Sequence, residues 1–175
     1  MSTEARSVQA IEALLERERD AFVARFHAVP AERRRTVPAD GGWSAVQVAE
    51  HVSRVEFGVA KMIGAGAAMP RTATPEELET AQITERKAQI VRDRTEKVEA
   101  PVRTHPQGEL DYVAALAQLA QSRAALLAAF RGADAAVLDG ITFVHPFIGA
   151  LTLRAWVELV AHHDARHAEQ LAELA

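Results

Sequence analysis

The sequence predicts an all-α fold, a single four-helix bundle with long connections that spans residues 1–175. Long segments repeat apolar residues at three- and four-residue spacing, capping and breaking residues bound those segments, and histidines lie on two of the apolar faces. With 175 residues and 49% apolar side chains the chain can bury a core without cross-links, so one domain and no linker are expected.

The first helix is expected from about Ser7 to His27, where Val8, Ile11, Leu14, Leu15, Phe22 and Phe26 keep to one face and Pro30 follows the end. The Pro38–Gly42 stretch breaks helix, and Ser44-Ala-Val-Gln47 forms a capping-box signature that starts a second helix at about Ala45. Gly64, Gly66 and Pro70 are expected to end it after about Ile63. Thr74-Pro-Glu-Glu77 opens a charged, weakly periodic segment reaching Glu99, read as one peripheral helix. A third core helix runs from Glu109 to Phe130 on Leu110, Val113, Leu116, Leu119, Leu126, Leu127 and Phe130, and stops at Gly132. Residues 133–151 read as an ordered loop with a brief β-like stretch, Ile141-Thr-Phe-Val144. Thr152 then caps the last helix, whose core stripe is Leu153, Trp156, Val157, Val160, His163, His167, Leu171 and Leu174.

Composition narrows the function classes. A formal charge of −4 gives no electrostatic footprint for nucleic acid, and Arg33-Arg34-Arg35 is read as a solvated turn. The absence of cysteine removes disulfides, thiolate–zinc sites and a protein thiol nucleophile together, so any sulfur chemistry needs an external thiol. Met1-Ser-Thr-Glu-Ala-Arg6 leads into a charged amphipathic segment, and the sequence is read as having no membrane-spanning run. A cytoplasmic protein without a membrane partner is the expectation.

His163 and His167 stand one helical turn apart on the apolar stripe of the last helix, so both imidazoles project from one face. His51 falls beside Val48, Val52 and Val55 in the second helix. Three imidazoles meeting inside a bundle hold a divalent metal and leave coordination positions open for chemistry. His162 has Arg166 at its i+4 position and points about a quarter-turn off the stripe, which assigns it to the surface or to a supporting role. Among the nearby carboxylates Glu50 and Glu169 read as solvent-facing charges, whereas Asp164 borders the stripe and is the candidate proton carrier or catalytic group. Gln170, three residues after His167 on a neighbouring face, is placed either to orient a ligand ring or to cap a packing contact. Trp43 and Trp156 read as core anchors, with Trp43 also placed for a pocket mouth, and His27 and His105 read as surface residues.

Trp43-Ser44, Glu50-His51, His145-Pro-Phe-Ile-Gly149 and His163-Asp-Ala-Arg-His167-Ala-Glu-Gln170 together resemble the DinB-like (DNA-damage-inducible, YfiT-like) superfamily of proposed metalloenzymes, and the resemblance spans nearly the whole chain. It implies a four-helix bundle in which one histidine of the second helix and two of the last hold zinc, nickel or a related divalent ion. Residue by residue this carries over to His51, His163 and His167. It also implies, for some relatives, transfer of a low-molecular-weight thiol such as bacillithiol or mycothiol, and the Ala- and Arg-rich composition leans towards mycothiol. The resulting expectation is a metal-dependent thiol S-transferase acting on small electrophiles, as a homodimer. The rival readings are a metal-dependent hydrolase and a non-catalytic, stress-related metal-binding bundle. His145 decides between open and closed coordination, because structural zinc sites usually have four protein ligands.

Overall fold

The structure, a computed structural model, describes residues 6–39, 41–69, 73–95 and 97–175. Pro70 and the Met1–Ala5 segment, used above as sequence signals, lie outside the described residues. Four long helices form the bundle: α1 (Val8–Ala28), α2 (Ala45–Gly66), α5 (Tyr112–Gly132) and α7 (Leu153–Ala172). The smaller elements are α3 (Pro75–Thr80), α4 (Glu85–Arg92), α6 (Ala135–Gly140), and an antiparallel hairpin of β1 (Thr142–His145) and β2 (Gly149–Thr152). α1 packs along α7, α7 along α2, and α2 along α5.

The helix starts follow local chemistry. Ser7, Asp111 and Thr152 each accept a backbone N–H of the first turn, and Ser44 and Gln47 form the reciprocal capping box at the start of α2. Each such cap is worth about 1 kcal/mol. The third core helix begins at Tyr112 rather than at Glu109, because Asp111 supplies the cap. The expected peripheral helix is instead two short ones, α3 and α4, each opened by its own threonine cap, Thr74 and Thr84. The segment expected as an ordered loop holds α6 and the hairpin, whose β1 overlaps the β-like stretch at 141–144. The hairpin is fixed by pairing from Thr142↔Thr152 to His145↔Gly149 and by the Trp156 indole N–H, which donates to the Phe143 carbonyl at 3.1 Å.

α2 continues to Gly66 and is not ended by Gly64. Gly66 serves close packing: a Cβ there would stand 2.6 Å from Leu153 Cδ1. Arg33-Arg34-Arg35 is not simply a solvated turn. Arg34 donates to the Val29 and His27 carbonyls at the end of α1 and lies 3.8 Å from the Tyr112 ring centroid.

The buried apolar residues fall into two clusters. One is built around Ile11, Leu15, Ile63, Leu126, Phe130 and Val160, and the other around Phe22, Phe26, Val48, Val52, Leu119 and Leu171. On every long helix the position between the two clusters is polar and buried: Arg19 on α1, Glu56 on α2, Ser122 on α5 and Asp164 on α7. Arg19 donates to Asp164 at 2.9 Å and to Glu56 at 3.0 Å, Arg123 donates to both carboxylates, and Ser122 donates to Glu56. Two guanidinium and two carboxylate groups thus balance in charge across the bundle, and the candidate site stands at the edge of this layer.

Candidate metal centre

α7 brings His163 and His167 onto one face, and α2, packed along α7, brings His51 opposite them. The His163 Nε2 lies 3.2 Å from His51 Nε2 and 3.1 Å from His167 Nε2. Among the described residues this is a group of three potential ligands whose donor atoms all lie within 4.8 Å of one another. Nitrogens about 2.0–2.1 Å from a tetrahedral zinc stand roughly 3.3 Å apart, so the two closest spacings fit a shared ion.

The outer contacts set the ring orientation and the tautomer. His51 Nδ1–H donates to the Thr104 carbonyl at 2.8 Å, and His167 Nδ1–H donates to Gln170 Oε1 at 2.7 Å. With those protons turned outward, both Nε2 atoms present lone pairs to the centre. Of the two roles open to Gln170, the contact is with the His167 ring. His163 Nδ1 is buried and has no hydrogen-bond partner among the described residues. Trp43 covers the far side of His51, with ring centroids 4.6 Å apart, and also faces His105 at 6.0 Å.

All three imidazoles are held neutral. Burial lowers the His51 pKa from the ordinary 6.5 to about 4, partly opposed by the Thr104 carbonyl. Burial also pushes His163 and His167 well below the ordinary histidine range, with the neighbouring imidazoles adding to the effect. Lone pairs that converge without protons repel, and a cation among them removes that cost while satisfying buried nitrogen. The donor set suits a divalent ion.

Several sequence expectations need correction. Asp164 is fully buried, but it accepts hydrogen bonds from Arg19 and Arg123 in the charge-balanced layer rather than bonding a ligand ring. His162 is not a surface residue: it is 5% exposed, because α4 lies against α7 and Arg92 Nε donates to His162 Nδ1 at 3.0 Å. Glu50 is not solvent-facing either. It is 4% exposed and accepts the backbone N–H groups of Gln107 and Gly108 at 2.9 and 3.1 Å. His105 is half-buried and bonded to the Ala100 carbonyl, whereas His27 and Glu169 are exposed as expected. His145 stands at the end of β1, its ring 5.2 Å from Trp156, and is not a member of the three-ligand group.

Sequence reasoning missed Arg19, Glu56 and Arg123. The signal was present, since Arg19 interrupts the Leu15–Phe22 stripe and Glu56 the Val52–Val59 stripe at core spacing.

Fold and site together define a four-helix-bundle protein with a three-histidine candidate metal centre. The chain belongs to the DinB superfamily, whose sequence profile matches residues 14–171. It is similar to YuaE of Bacillus subtilis (strain 168), with 23% identity over 146 residues covering 82% of this chain and 83% of that protein. It is also similar to TT2238, whose crystal structure is described as a four-helix bundle protein; identity is 25%, the TM-score is 0.62, and the match covers 95% of this chain and 98% of that one.

Proposed function

We propose that this protein is a metal-dependent enzyme that transfers a low-molecular-weight thiol, such as mycothiol or bacillithiol, to small electrophiles, with zinc or nickel held by His51, His163 and His167. The observation that carries the reading is the donor set: three neutral imidazoles converge, with no carboxylate in the group and no cysteine in the chain. Structural zinc sites are usually closed by four protein ligands, so a set of three supports a centre with room for an exogenous one. Bound there, a divalent ion with only neutral protein ligands keeps its full charge and lowers the pKa of a coordinating thiol, supplying thiolate near neutral pH.

The chain's own groups orient and exclude. Thr104 and Gln170 hold two imidazoles in the ligating tautomer, Trp43 shields the back of His51 from water, and burial keeps protons off the rings. Sulfur forms the new bond to carbon, the leaving group or opened epoxide oxygen takes the electron pair, and the thiol proton passes to solvent.

Protein purified without a metal-affinity tag is expected to contain about one divalent ion per chain by elemental analysis. In cobalt-substituted protein, mycothiol or bacillithiol is expected to give a sulfur-to-metal charge-transfer band, and thiol consumption with a haloaromatic or epoxide should vanish in His51→Ala. If no thiol perturbs the cobalt spectrum while water-dependent ester or amide cleavage occurs, the hydrolase reading replaces this one. Bound metal with neither reaction leaves a non-catalytic bundle.

We further propose a cytoplasmic homodimer associating through α5, and no nucleic-acid or membrane partner. By length and composition α5 is the one helix among the described residues apolar enough to cross a membrane, yet its inner face packs on α2 and carries Arg123 into the buried layer. Its outer face is unpartnered: only 28% of the apolar window is buried, and Val113, Ala117, Ala120, Ala124 and Ala128 are exposed. Light scattering at micromolar concentration should give twice the chain mass for the wild type and a monomer for Ala124→Arg; a wild-type monomer rejects the dimer.

A further inference from the structure

One stripe of α2 holds a single segment of chain. Arg54 donates to the Arg103 carbonyl at 3.1 Å, His51 donates to the Thr104 carbonyl, and Glu50 accepts the N–H groups of Gln107 and Gly108. Gly108 closes the run with φ +75, and a Cβ there would lie 3.2 Å from Gln47 Nε2. The spacing 47, 50, 51, 54 is one helical face, so the segment 103–108 is fastened in register along it. The carbonyl that fixes the His51 tautomer belongs to this segment. It stands where a tight turn, closed by Thr104 Oγ1 donating to the Pro101 carbonyl at 2.7 Å, is pressed against α2. Glu50 supplies two charge-assisted hydrogen bonds that fasten the far end of the segment.

We infer that Glu50 is a positioning residue for the metal centre, acting through the 103–108 segment on the orientation of His51. The inference rests on the three-histidine reading above and goes beyond it. Glu50 touches no ligand nitrogen; its carboxylate holds the segment, the segment holds the Thr104 carbonyl, and the carbonyl holds Nδ1–H of His51 so that Nε2 faces the centre. Without the carboxylate the Gln107 and Gly108 amides lose their acceptor, the carbonyl shifts, and the ring can rotate or exchange its proton between nitrogens. The coupling is reciprocal, so a bound ion also steadies the segment.

The test uses full-length protein, with Zn²⁺ affinity measured by chelator competition and Co²⁺ spectra recorded at saturating metal. Glu50→Ala is expected to weaken Zn²⁺ binding about 10- to 100-fold and to change the ligand-field spectrum even at saturation, as removing a support of a ligand does. Glu50→Gln keeps the shape but sets an N–H against one of the two amides, and should fall between Glu50→Ala and wild type; it decides the matter if Glu50→Ala does not fold. Urea melts of the metal-free variants separate a purely structural role, which lowers their stability and leaves affinity and spectrum unchanged. In the wild type, Zn²⁺ should slow hydrogen exchange at the Gln107 and Gly108 amides. Affinity within twofold of wild type with an unaltered cobalt spectrum in either folded variant overturns the role of Glu50. A wild type that takes up no metal overturns the three-histidine reading itself, and that failure appears in the wild-type arm alone.

Discussion

Neighbouring positions on α7 carry three different duties. His163 and His167 face the centre, His162 turns towards Arg92 and Glu158, and Asp164 turns into the charge-balanced layer. Truncation should separate them. His163→Ala and His167→Ala are each expected to abolish stoichiometric metal and to act as a unit in the double variant, whereas His162→Ala should leave metal content nearly intact; elemental analysis reads both, and full occupancy in His167→Ala rejects the assignment. Asp164→Ala leaves the Arg19 and Arg123 guanidinium groups with Glu56 as their one shared carboxylate and an uncompensated positive charge in the layer. It should cost about 3–5 kcal/mol of unfolding free energy, the range for breaking a buried ion pair from one side. Chemical denaturation of the metal-free protein measures this, and a loss below about 1 kcal/mol would mean the layer is not held by its charges.

At the scale of elements, α2 ends in close contact with the start of α7. Gly66 is there because Leu153 Cδ1 occupies the space of a Cβ, and Val137 and Ile141 close the other sides. In an isolated helix Gly→Ala is favourable by about 1 kcal/mol. Here overpacking opposes it, and Gly66→Ala is expected to destabilise the protein by roughly 1–3 kcal/mol, since a fully buried leucine must move. Gly64 is the internal control: nothing lies within 4 Å of a Cβ added there, so Gly64→Ala should be neutral or stabilising. Thermal melts of the two variants side by side decide it, and equal melting temperatures would count against the close contact.

For the whole molecule, the buried imidazoles tie stability to pH. His51 takes up its proton near 4 when folded and near 6.5 when unfolded, so between those values the unfolded chain binds more protons. Stability is therefore present above 6.5 and is lost as the pH falls towards 4, by on the order of 3 kcal/mol from His51 alone, with His163 and His167 adding in the same direction. Protons and metal compete for the same nitrogens, so acid should also release the ion. Melting temperatures of chelator-treated protein at pH 7.5 and 5 should differ clearly, and identical values would show that the imidazoles titrate as exposed groups.

What the sequence determined by itself is local and periodic. Apolar spacing placed four long helices, Ser44-Ala-Val-Gln47 and Thr152 placed two of their starts, and the i, i+4 relation put His163 and His167 on one face. These follow from helix geometry, which needs no knowledge of the neighbours. Tertiary structure decided everything that depends on what lies opposite. His51 reaches the pair only because α2 packs along α7. To a sequence reader Glu50 is a solvent-facing charge, Asp164 a candidate catalytic group bordering the stripe and His162 a surface or supporting residue, and each is buried here because a different partner covers it: the 103–108 segment, two arginines from α1 and α5, and α4. A side chain's polarity is written in the sequence, but the cost of burying it and the group that offsets that cost come from chain far away.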